Sequence, residues 1–220
     1  IHQSLAFTIV SGNGAGAFTL DAETGELTVA DPIRLNHEAE AIYSLTVRVT
    51  DNVVPLRSGE ALITVIIDDV NEFSPLVSDQ SFTLDENSPA GSVAGTIAAF
   101  DDDTSQQLTF RLLEGNLGNA FTVDARSGVI AVAAGATIDH EAVTRYLLTV
   151  EVSDNGNPSR SATALTTIDV RDVNEFTPVV PSQQFSVDEN SSAGTAVGVI
   201  TAHDGDTSQS LSLTIAGGND

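Results

Sequence analysis

The chain has 220 residues, enough for one large domain or two of ordinary size, and carries 31 acidic against 8 basic side chains for a net charge of −23. Every cation is Arg and none is Lys, a balance that excludes nucleic acid and an anionic membrane surface as partners and suits a chain that gathers cations. Cys is absent, which rules out disulfides and thiolate metal sites, and no apolar run approaches the ~20 residues of a membrane helix.

Hydrophobic residues make up 41% of the chain, in short runs that suit packed cores rather than disorder. Met is absent, and the chain is expected to be cut from something longer. In chain order, AFTLDAETGELTVA (17–30) reads as a hairpin turning at Gly25. YSLTVRVTD places Leu45, Val47 and Val49 on one face and Ser44, Thr46 and Arg48 on the other, the period of a half-buried strand. NVVPLRSGE supplies the Pro and Gly of a turn, and ALITVIIDD follows from Ala61 as the next strand. SVAGTIAAF (92–100) and AVGVITA (196–202) are short apolar runs rich in β-branched residues. No segment shows sustained helical spacing.

The sequence repeats. DENSPAG at Asp85 returns as DENSSAG at Asp188, and DDVNEFSP at Asp68 returns as RDVNEFTP at Arg171, both 103 residues on. The hairpins beginning at Phe18 and Phe121, and the segments NHEAEAIYSLTVRVTDN and DHEAVTRYLLTVEVSDN, keep the same offset. A unit of this size with about seven short strands predicts an all-β fold of tandem immunoglobulin-like Greek-key β-sandwiches. SLAFTIVSGN (4–13) matches QLTFRLLEGN (107–116) and SLSLTIAGGN (210–219). The expected division is therefore 1–73, the back part of a repeat; 74–176, a complete repeat; and 177–220, the front part of another.

The acids gather in five blocks per unit: DEN at 85–87, DDD at 101–103, DHE at 139–141, SDN at 153–155 and DVNE at 172–175. In a sandwich such blocks lie at loops and strand ends. Carboxylates and carbonyls brought together without Lys partners call for a hard divalent cation, and Ca²⁺ takes 6–8 oxygens. A solvated acidic coat explains any single block but not five in register.

This ordered set resembles cadherin repeats over essentially the whole chain. DEN at 85–87 is similar to the family's XEX, with Glu86 the ligand. Asp101 and Asp103, and Asp204 and Asp206, are similar to DXD. DHE at 139–141 is similar to DRE, with NHE at 36–38 its weaker copy, and Asp51 and Asp154 match the aspartate after the sixth strand. The DXNDN linker is matched by Asp69-Val70-Asn71-Glu72-Phe73 and by Asp172-Val173-Asn174-Glu175-Phe176.

The resemblance implies three Ca²⁺ ions at each of two junctions. At the second, Glu86, Asp139, Glu141 and Glu175 hold an outer pair with Asp206 and the Val173 carbonyl; Asn174, Asp204, Asp206 and the Phe176 carbonyl hold an inner ion. At the first, Glu38 and Glu72 serve the outer pair, and Asn71, Asp101, Asp103, Asp154 and the Phe73 carbonyl the inner ion. Asn36 replaces an Asp and removes one charge there. Glu at 72 and 175 lengthens the arm of the usual linker Asp, and Phe at 73 and 176 leaves only a backbone oxygen.

The resemblance further implies calcium-driven rigidification, an extracellular or cell-surface location, neighbouring repeats as partners, and adhesion or spacing as the role. The Lys-free, Cys-free repeats with DVNEF linkers look most similar to those of bacterial surface proteins. Homophilic or head-to-tail self-association, the tail of one copy completing the head of the next, is a further expectation. The alternative function is a calcium-dependent carbohydrate-binding module binding polysaccharide. It is weakened by the absence of Trp and by Phe18, Phe82, Phe121 and Phe185 sitting at repeating, core-type positions.

An enzyme is not expected: no Ser lies in a nucleophile elbow, no glycine-rich phosphate loop is present, and the paired carboxylates repeat with the fold. His37 and His140 are read as structural rather than zinc ligands. His2 and His203 fall at non-equivalent positions and carry no role. Asn155-Gly156 is a turn signal.

Overall fold

A computed structural model describes residues 4–103, 105–206 and 209–218. His2 and Asn219 lie outside the described residues. The strands in chain order are β1 (Leu5–Ser11), β2 (Phe18–Leu20), β3 (Leu27–Val29), β4 (Ile42–Asp51), β5 (Ser58–Ile66), β6 (Leu76–Val77), β7 (Gln80–Asp85), β8 (Val93–Thr96), β9 (Ala99–Phe100), β10 (Thr109–Glu114), β11 (Phe121–Val123), β12 (Val129–Val132), β13 (Arg145–Ser153) and β14 (Ser161–Arg171). Two single-turn 3₁₀ segments, Pro32–Arg34 and Leu117–Asn119, are the helical content among the described residues. No described helix is long and apolar enough to cross a membrane.

The chain divides into two compact units. The first takes the chain up to Leu76 together with Ala99–Leu108 and Ser153–Ala162. The second takes Val77–Ala98, Thr109–Val152 and the chain from Thr163 onward.

The second unit is the sandwich. One sheet runs β10-β13-β14-β7 and the other β11-β12-β8. Alternation in β13 turns Tyr146, Leu148, Val150 and Val152 inward, and β14 contributes Ala164, Ile168 and Val170. Phe121 meets Tyr146 edge-to-face, centroids 5.0 Å apart at 88°, joining the two sheets. Phe82 of β7 lies over Gly95 of β8, where an added Cβ would come within 2.3 Å of the ring. The sheets are antiparallel as expected, except that β14 pairs with β7 in parallel, Thr166 opposite Gln80 through Arg171 opposite Asp85. The opening strand thus closes the sheet against the last one and covers its edge.

In the first unit β1-β4-β5 form an antiparallel sheet and β2-β3 a hairpin. Ala17, Phe18, Tyr43 and Leu45 make its core, with Ile9, Leu27 and Val65 packed against them. Phe18 and Tyr43 repeat the edge-to-face contact at 5.1 Å and 83°. Gly12 and Gly115, 103 residues apart, both sit at positive φ (+88° and +80°), where a Cβ would lie 2.0 Å and 1.7 Å from the carbonyls of Ser44 and Leu147. Only glycine lets the chain leave the strand so close to its neighbour. The β5 edge differs from its counterpart β14. Leu62 and Ile66 are exposed, and a cavity of about 400 Å³ opens beside Phe7, Leu20, Leu27, Val47, Val49 and Ile63.

Residues 177–218 depart from the sequence reading. AVGVITA and its neighbours form no strand among the described residues; Val179 and His203 make one isolated antiparallel bridge.

Thr166 is 1% exposed and its hydroxyl has no hydrogen-bond partner. Thr166→Val should raise unfolding stability by about 1–3 kcal/mol, the cost of a buried unpaired hydroxyl. Leu148→Ala, at a fully buried position, should lower it by about 2–5 kcal/mol. Leu147→Ala, half exposed on the opposite face, should change it by less than about 0.5 kcal/mol. Urea titrations of the three variants measure this, and a Thr166→Val variant weaker than wild type rejects the first.

Candidate metal centres

The strands end where the acids begin. In the first unit, Asp69 and Glu72 follow β5, Glu38 precedes β4, and Asp101 and Asp103 lie in the loop after β9. Carboxylate oxygens of Glu38, Asp69, Glu72 and Asp103 all lie within 4.8 Å of one another. In the second unit Glu86, Glu141 and Glu175 converge within the same span, as do Glu141, Asp172 and Asp206.

The first cluster is short of donors. Buried oxygens without a hydrogen-bond partner include both Oε atoms of Glu38, Oδ1 of Asp69, Oδ1 of Asn71, Oδ2 of Asp101, Oδ1 of Asp103 and Oδ2 of Asp154. The opposite oxygens are used to hold the loops: Asp103 Oδ2 accepts from Phe73 N–H (3.0 Å), Asp101 Oδ1 from Asp103 N–H (3.1 Å), and Asp69 from the Ser105 hydroxyl. Asp101 and Asp103 thus turn one oxygen to the backbone and leave the other without a partner, Asp69 gives one to a hydroxyl, and Glu38 leaves both free. Asp154 Oδ1 accepts from Arg160 N–H (2.9 Å), Gly156 N–H (3.1 Å) and Asn71 Nδ2 (3.2 Å). Burial pushes the Asp154 carboxyl up, but the donors from Arg160, Asn71, Gly156 and Ser159 outweigh it and hold the pKa below the usual value.

In the second cluster Glu86 is 2% exposed, and its two oxygens accept from His140 N–H (2.8 Å) and Val173 N–H (2.7 Å). Asp206 takes Glu175 N–H (3.4 Å) and Phe176 N–H (3.2 Å), and Asp204 Oδ1 takes Asp206 N–H (3.2 Å). Burial raises the Glu141 pKa, and the charges of Glu86, Asp172 and Glu175 add to the rise. A hydrogen bond from Asn87 (3.1 Å) lowers the Glu175 pKa, but burial and the charges of Glu86 and Asp206 overcome it, so the net shift is upward.

The remaining predicted residues are placed as follows. Asn36 and Asp139 cap turns, accepting from Ala39 N–H (2.6 Å) and Ala142 N–H (2.9 Å) through Oδ1. The Val70 carbonyl accepts from Glu72 N–H (2.8 Å). Asn174 borders Asp204 and Gln209. Phe73, Val173 and Phe176 expose their side chains, consistent with a role for the backbone alone. His37 and His140 each place Nδ1 2.8 Å from a backbone carbonyl, those of Ile67 just after β5 and Val170 in β14. The bond to Ile67 raises the His37 pKa against the burial that lowers it.

Sequence reasoning missed Gln106, whose buried Oε1 also lacks a partner, and Arg160, whose Nε donates to the Asn71 carbonyl (3.1 Å). Gln106 recurs 103 residues on as Gln209, and Arg160 stands 103 residues after Arg57, so both carried a readable signal in the repeat. Other arginines stay away from the clusters: Arg34, Arg48, Arg111, Arg145 and Arg171 pair with Asp31, Glu60, Glu151, Asp169 and Asp85 at the exposed surface.

The family profile described as the cadherin domain matches residues 2–68 and 80–171. The chain belongs to the cadherin family. Its sequence is 33% identical over 228 residues to human Protocadherin Fat 1, covering all of this chain and 5% of that protein. It is 34% identical over 220 residues to human Cadherin EGF LAG seven-pass G-type receptor 2, covering 97% of this chain and 7% of that protein. This cadherin chain thus spans about a twentieth of the length of the curated relatives it matches. Among solved structures, human CDH23 EC21-23 superposes with a TM-score of 0.74 at 26% identity, over 93% of this chain and 69% of that one. The Protocadherin GammaB4 extracellular domain has a TM-score of 0.79 at 24% identity, over 93% and 34%, a likeness of fold. The tandem sandwich architecture read from the repeats is the architecture of these cadherins.

Two glutamates in one cluster should behave oppositely in a chelator. Glu86→Ala, at a carboxylate that is 2% exposed, removes the acceptor of the His140 and Val173 N–H groups and should cost about 1–3 kcal/mol in total. Glu141→Ala removes a carboxylate that its neighbours repel and should leave the chelated protein as stable or more so. Thermal melts in excess chelator check this; equal destabilisation by both variants contradicts the assigned roles.

Proposed function

We propose that the chain is a calcium-rigidified segment of an extracellular adhesion or spacer protein. The observation that carries the reading is the first cluster: seven buried, unpartnered oxygens on Glu38, Asp69, Asn71, Asp101, Asp103 and Asp154. A buried polar atom without a partner costs free energy, and several carboxylates together cost more. A hard divalent cation answers both terms. The donors are all oxygens and exceed what Mg²⁺ uses from protein, which favours Ca²⁺. Zinc is disfavoured because Cys is absent and both nearby imidazoles are tied to backbone carbonyls. Cadherin domains bind Ca²⁺ at repeat junctions, so the family and the donor set point the same way.

In this reading Glu38, Asp69, Glu72 and Asp103 hold an outer site, and Asn71, Asp101, Asp103, Asp154 and the Phe73 carbonyl an inner one, with Gln106 added to its rim. Asn36 and Val70 support the turns around them. In the second cluster Glu86, Asp139, Glu141, Asp172, Glu175, Asp206 and the Val173 carbonyl hold the outer site, and Asn174, Asp204, Asp206 and the Phe176 carbonyl the inner one. Repeats at 1–73, 74–176 and 177–220 follow the 103-residue period. Each ion is then shared by residues from two successive repeats and the linker, and bound metal stiffens the array. A cell-surface location follows from the relatives, whose printed names are those of cadherins and protocadherins.

The bacterial reading draws on composition and linker sequence alone; the relatives reported above are human and give it no support. The polysaccharide alternative gains nothing from the aromatic residues. Phe18 and Phe121 are buried, and Phe82 and Phe185 lie against Gly95 and Gly198.

Ca²⁺ should raise the melting temperature, since a ligand bound only by the native state adds RT ln(1 + [L]/Kd), about 2.7 kcal/mol at a hundredfold excess over Kd. Glu141→Ala should lose much of that gain while matching or exceeding wild type in chelator. An identical melt with calcium and with chelator rejects the reading.

Head-to-tail self-association belongs to the same proposal. β7 pairs with β14, Gln80–Asp85 against Thr166–Arg171; shifted by one period, Gln183–Asp188 of a second copy aligns with Ile63–Asp68. Phe185, Val187 and Val199 are exposed in the tail, and β5 presents Leu62 and Ile66. Sedimentation velocity should show concentration-dependent oligomers, which Val187→Asp abolishes. A monomer at every concentration, with and without calcium, eliminates this contact.

A further inference from the structure

One sequence signal, Asn155-Gly156, stands outside the metal-ligand set although it adjoins Asp154. Asn followed by Gly is the dipeptide in which the asparagine amide is most readily lost, because no side chain shields the next backbone nitrogen. The repeat supplies a comparison. Asn52 occupies the same place one period earlier, and the two make the same bond: Asn52 Oδ1 accepts from Ser4 N–H (3.0 Å), and Asn155 Oδ1 from Gln107 N–H (2.8 Å). The residue after Asn52 is Val53 and the residue after Asn155 is Gly156.

The cluster itself demands that glycine. A Cβ at residue 156 would lie 2.2 Å from Asn71 Nδ2 and 2.6 Å from Gln106 Oε1. Any other residue would displace Asn71 from Asp154. The need to seat a linker side chain in the first cluster thus imposes a labile dipeptide beside it. Asn155 is exposed, and it borders the same depression as Asp69, Asn71 and Gln106.

Two contacts keep the reacting groups apart. Asn155 Oδ1 is held by Gln107, and Gly156 N–H is held by Asp154 Oδ1 (3.1 Å). The first spans the loops 99–108 and 153–162 and depends on their staying together; the second lies within 153–162 and depends on Asp154 keeping its place. Those loops carry Asp101, Asp103, Gln106 and Asp154, whose buried oxygens lack partners and repel unless a cation joins them.

We propose that Asn155-Gly156 is a spontaneous deamidation site whose rate is set by cation occupancy of the first cluster. The calcium dependence rests on the function proposed above. When the loops part, the Gly156 backbone nitrogen attacks Asn155 Cγ. A C–N bond forms, the Gly156 N–H proton is lost to solvent, and Nδ2 takes up a proton and leaves as ammonia. Water then opens the succinimide at either carbonyl, giving aspartate or isoaspartate. The product carries one more negative charge, and the isoaspartate also lengthens the backbone by one carbon beside Asp154. Gly156 N–H and Arg160 N–H are thereby drawn off Asp154, so the aged loop binds the cation less well. By linkage, whatever the cation gains from closed loops it returns as protection.

The test is to hold the full chain at mildly alkaline pH in Ca²⁺ and in chelator and map the peptides by mass, with isoaspartyl methyltransferase labelling. Asn155 should convert about fivefold or more faster in chelator. Asn52 should stay intact. So should Asn13, which also precedes a glycine but whose amide is tied at both ends, Nδ2 to Phe18 O (2.6 Å) and Oδ1 from Phe18 N–H (3.1 Å). Asn155→Gln should abolish the conversion. Equal rates in calcium and chelator overturn the proposal, and so does a rise at Asn13 matching that at Asn155, which would mark general unfolding. Melts of the same samples separate the two claims: a calcium-raised melting temperature with equal rates sinks the deamidation site and leaves the calcium reading standing.

Discussion

Repulsion among buried carboxylate oxygens is the interaction on which the arrangement depends. At about 4 Å two like charges repel by roughly 4 kcal/mol even at an effective dielectric of 20, and the first cluster sets four carboxylates within 4.8 Å of one another. The protein supplies no ammonium to relieve this, having no Lys. Its guanidinium groups pair with acids elsewhere on the surface, and the one that reaches inward, Arg160, binds a backbone carbonyl rather than a carboxylate. The sandwich supplies the force that holds the charges in place. In the first unit the strands packed through Phe18, Tyr43 and Leu45 lead into the loops that carry these acids, and in the second the sheets packed through Leu148, Val150, Ile168 and Ile130 do the same for the second cluster.

The division of labour within each carboxylate follows. Asp103 and Asp101 give one oxygen to backbone N–H groups and keep the other unpartnered. Glu86 spends both oxygens on the N–H groups of His140 and Val173, so it binds the start of β7's following turn to the DHE segment and to the linker at once. A residue of that kind organises the loops through its own hydrogen bonds. Glu141 and Glu175, with raised pKa values, are held ionised at an electrostatic cost imposed by burial and by the neighbouring carboxylates.

Much of this was legible because the fold repeats. The strands of β4 and β13 show in a period of two, and the hairpins at Phe18 and Phe121 show in matching turns. The acid blocks were legible as blocks because five of them kept one register. What the sequence did not reveal is which oxygen of a carboxylate faces the backbone, since that depends on loop geometry to within an ångström. The parallel pairing of β14 with β7 was also hidden, because alternation reports a strand's faces and not its neighbour's direction. Residues 177–218 show the limit from the other side. Their apolar alternation reads as strands, yet strands need partners, and local pattern carries no information about whether a partner is present.

The two clusters use one list of residue types to different ends. In the first, Asp154 collects N–H donors from Arg160 and Gly156 and the Asn71 amide, and its pKa falls despite burial. In the second, Glu141 and Glu175 face other carboxylates with fewer donors, and their pKa values rise. The difference is one of donor supply rather than of charge count. Donors come from a loop folded back on itself, as in its counterpart 51–57, where Arg57 N–H bonds Asp51 Oδ1 (2.9 Å) with Val53 in the place of Gly156; in the loop 153–160 Gly156 adds room for Asn71 at a distance that no Cβ allows. The missing carbon thus lets the Asn71 amide join the backbone donors of Arg160 and Gly156 that lower the Asp154 pKa. The same missing carbon leaves the Asn155 amide open to attack from the next residue. In this loop the geometry that builds the cluster and the chemistry that can damage it have one cause.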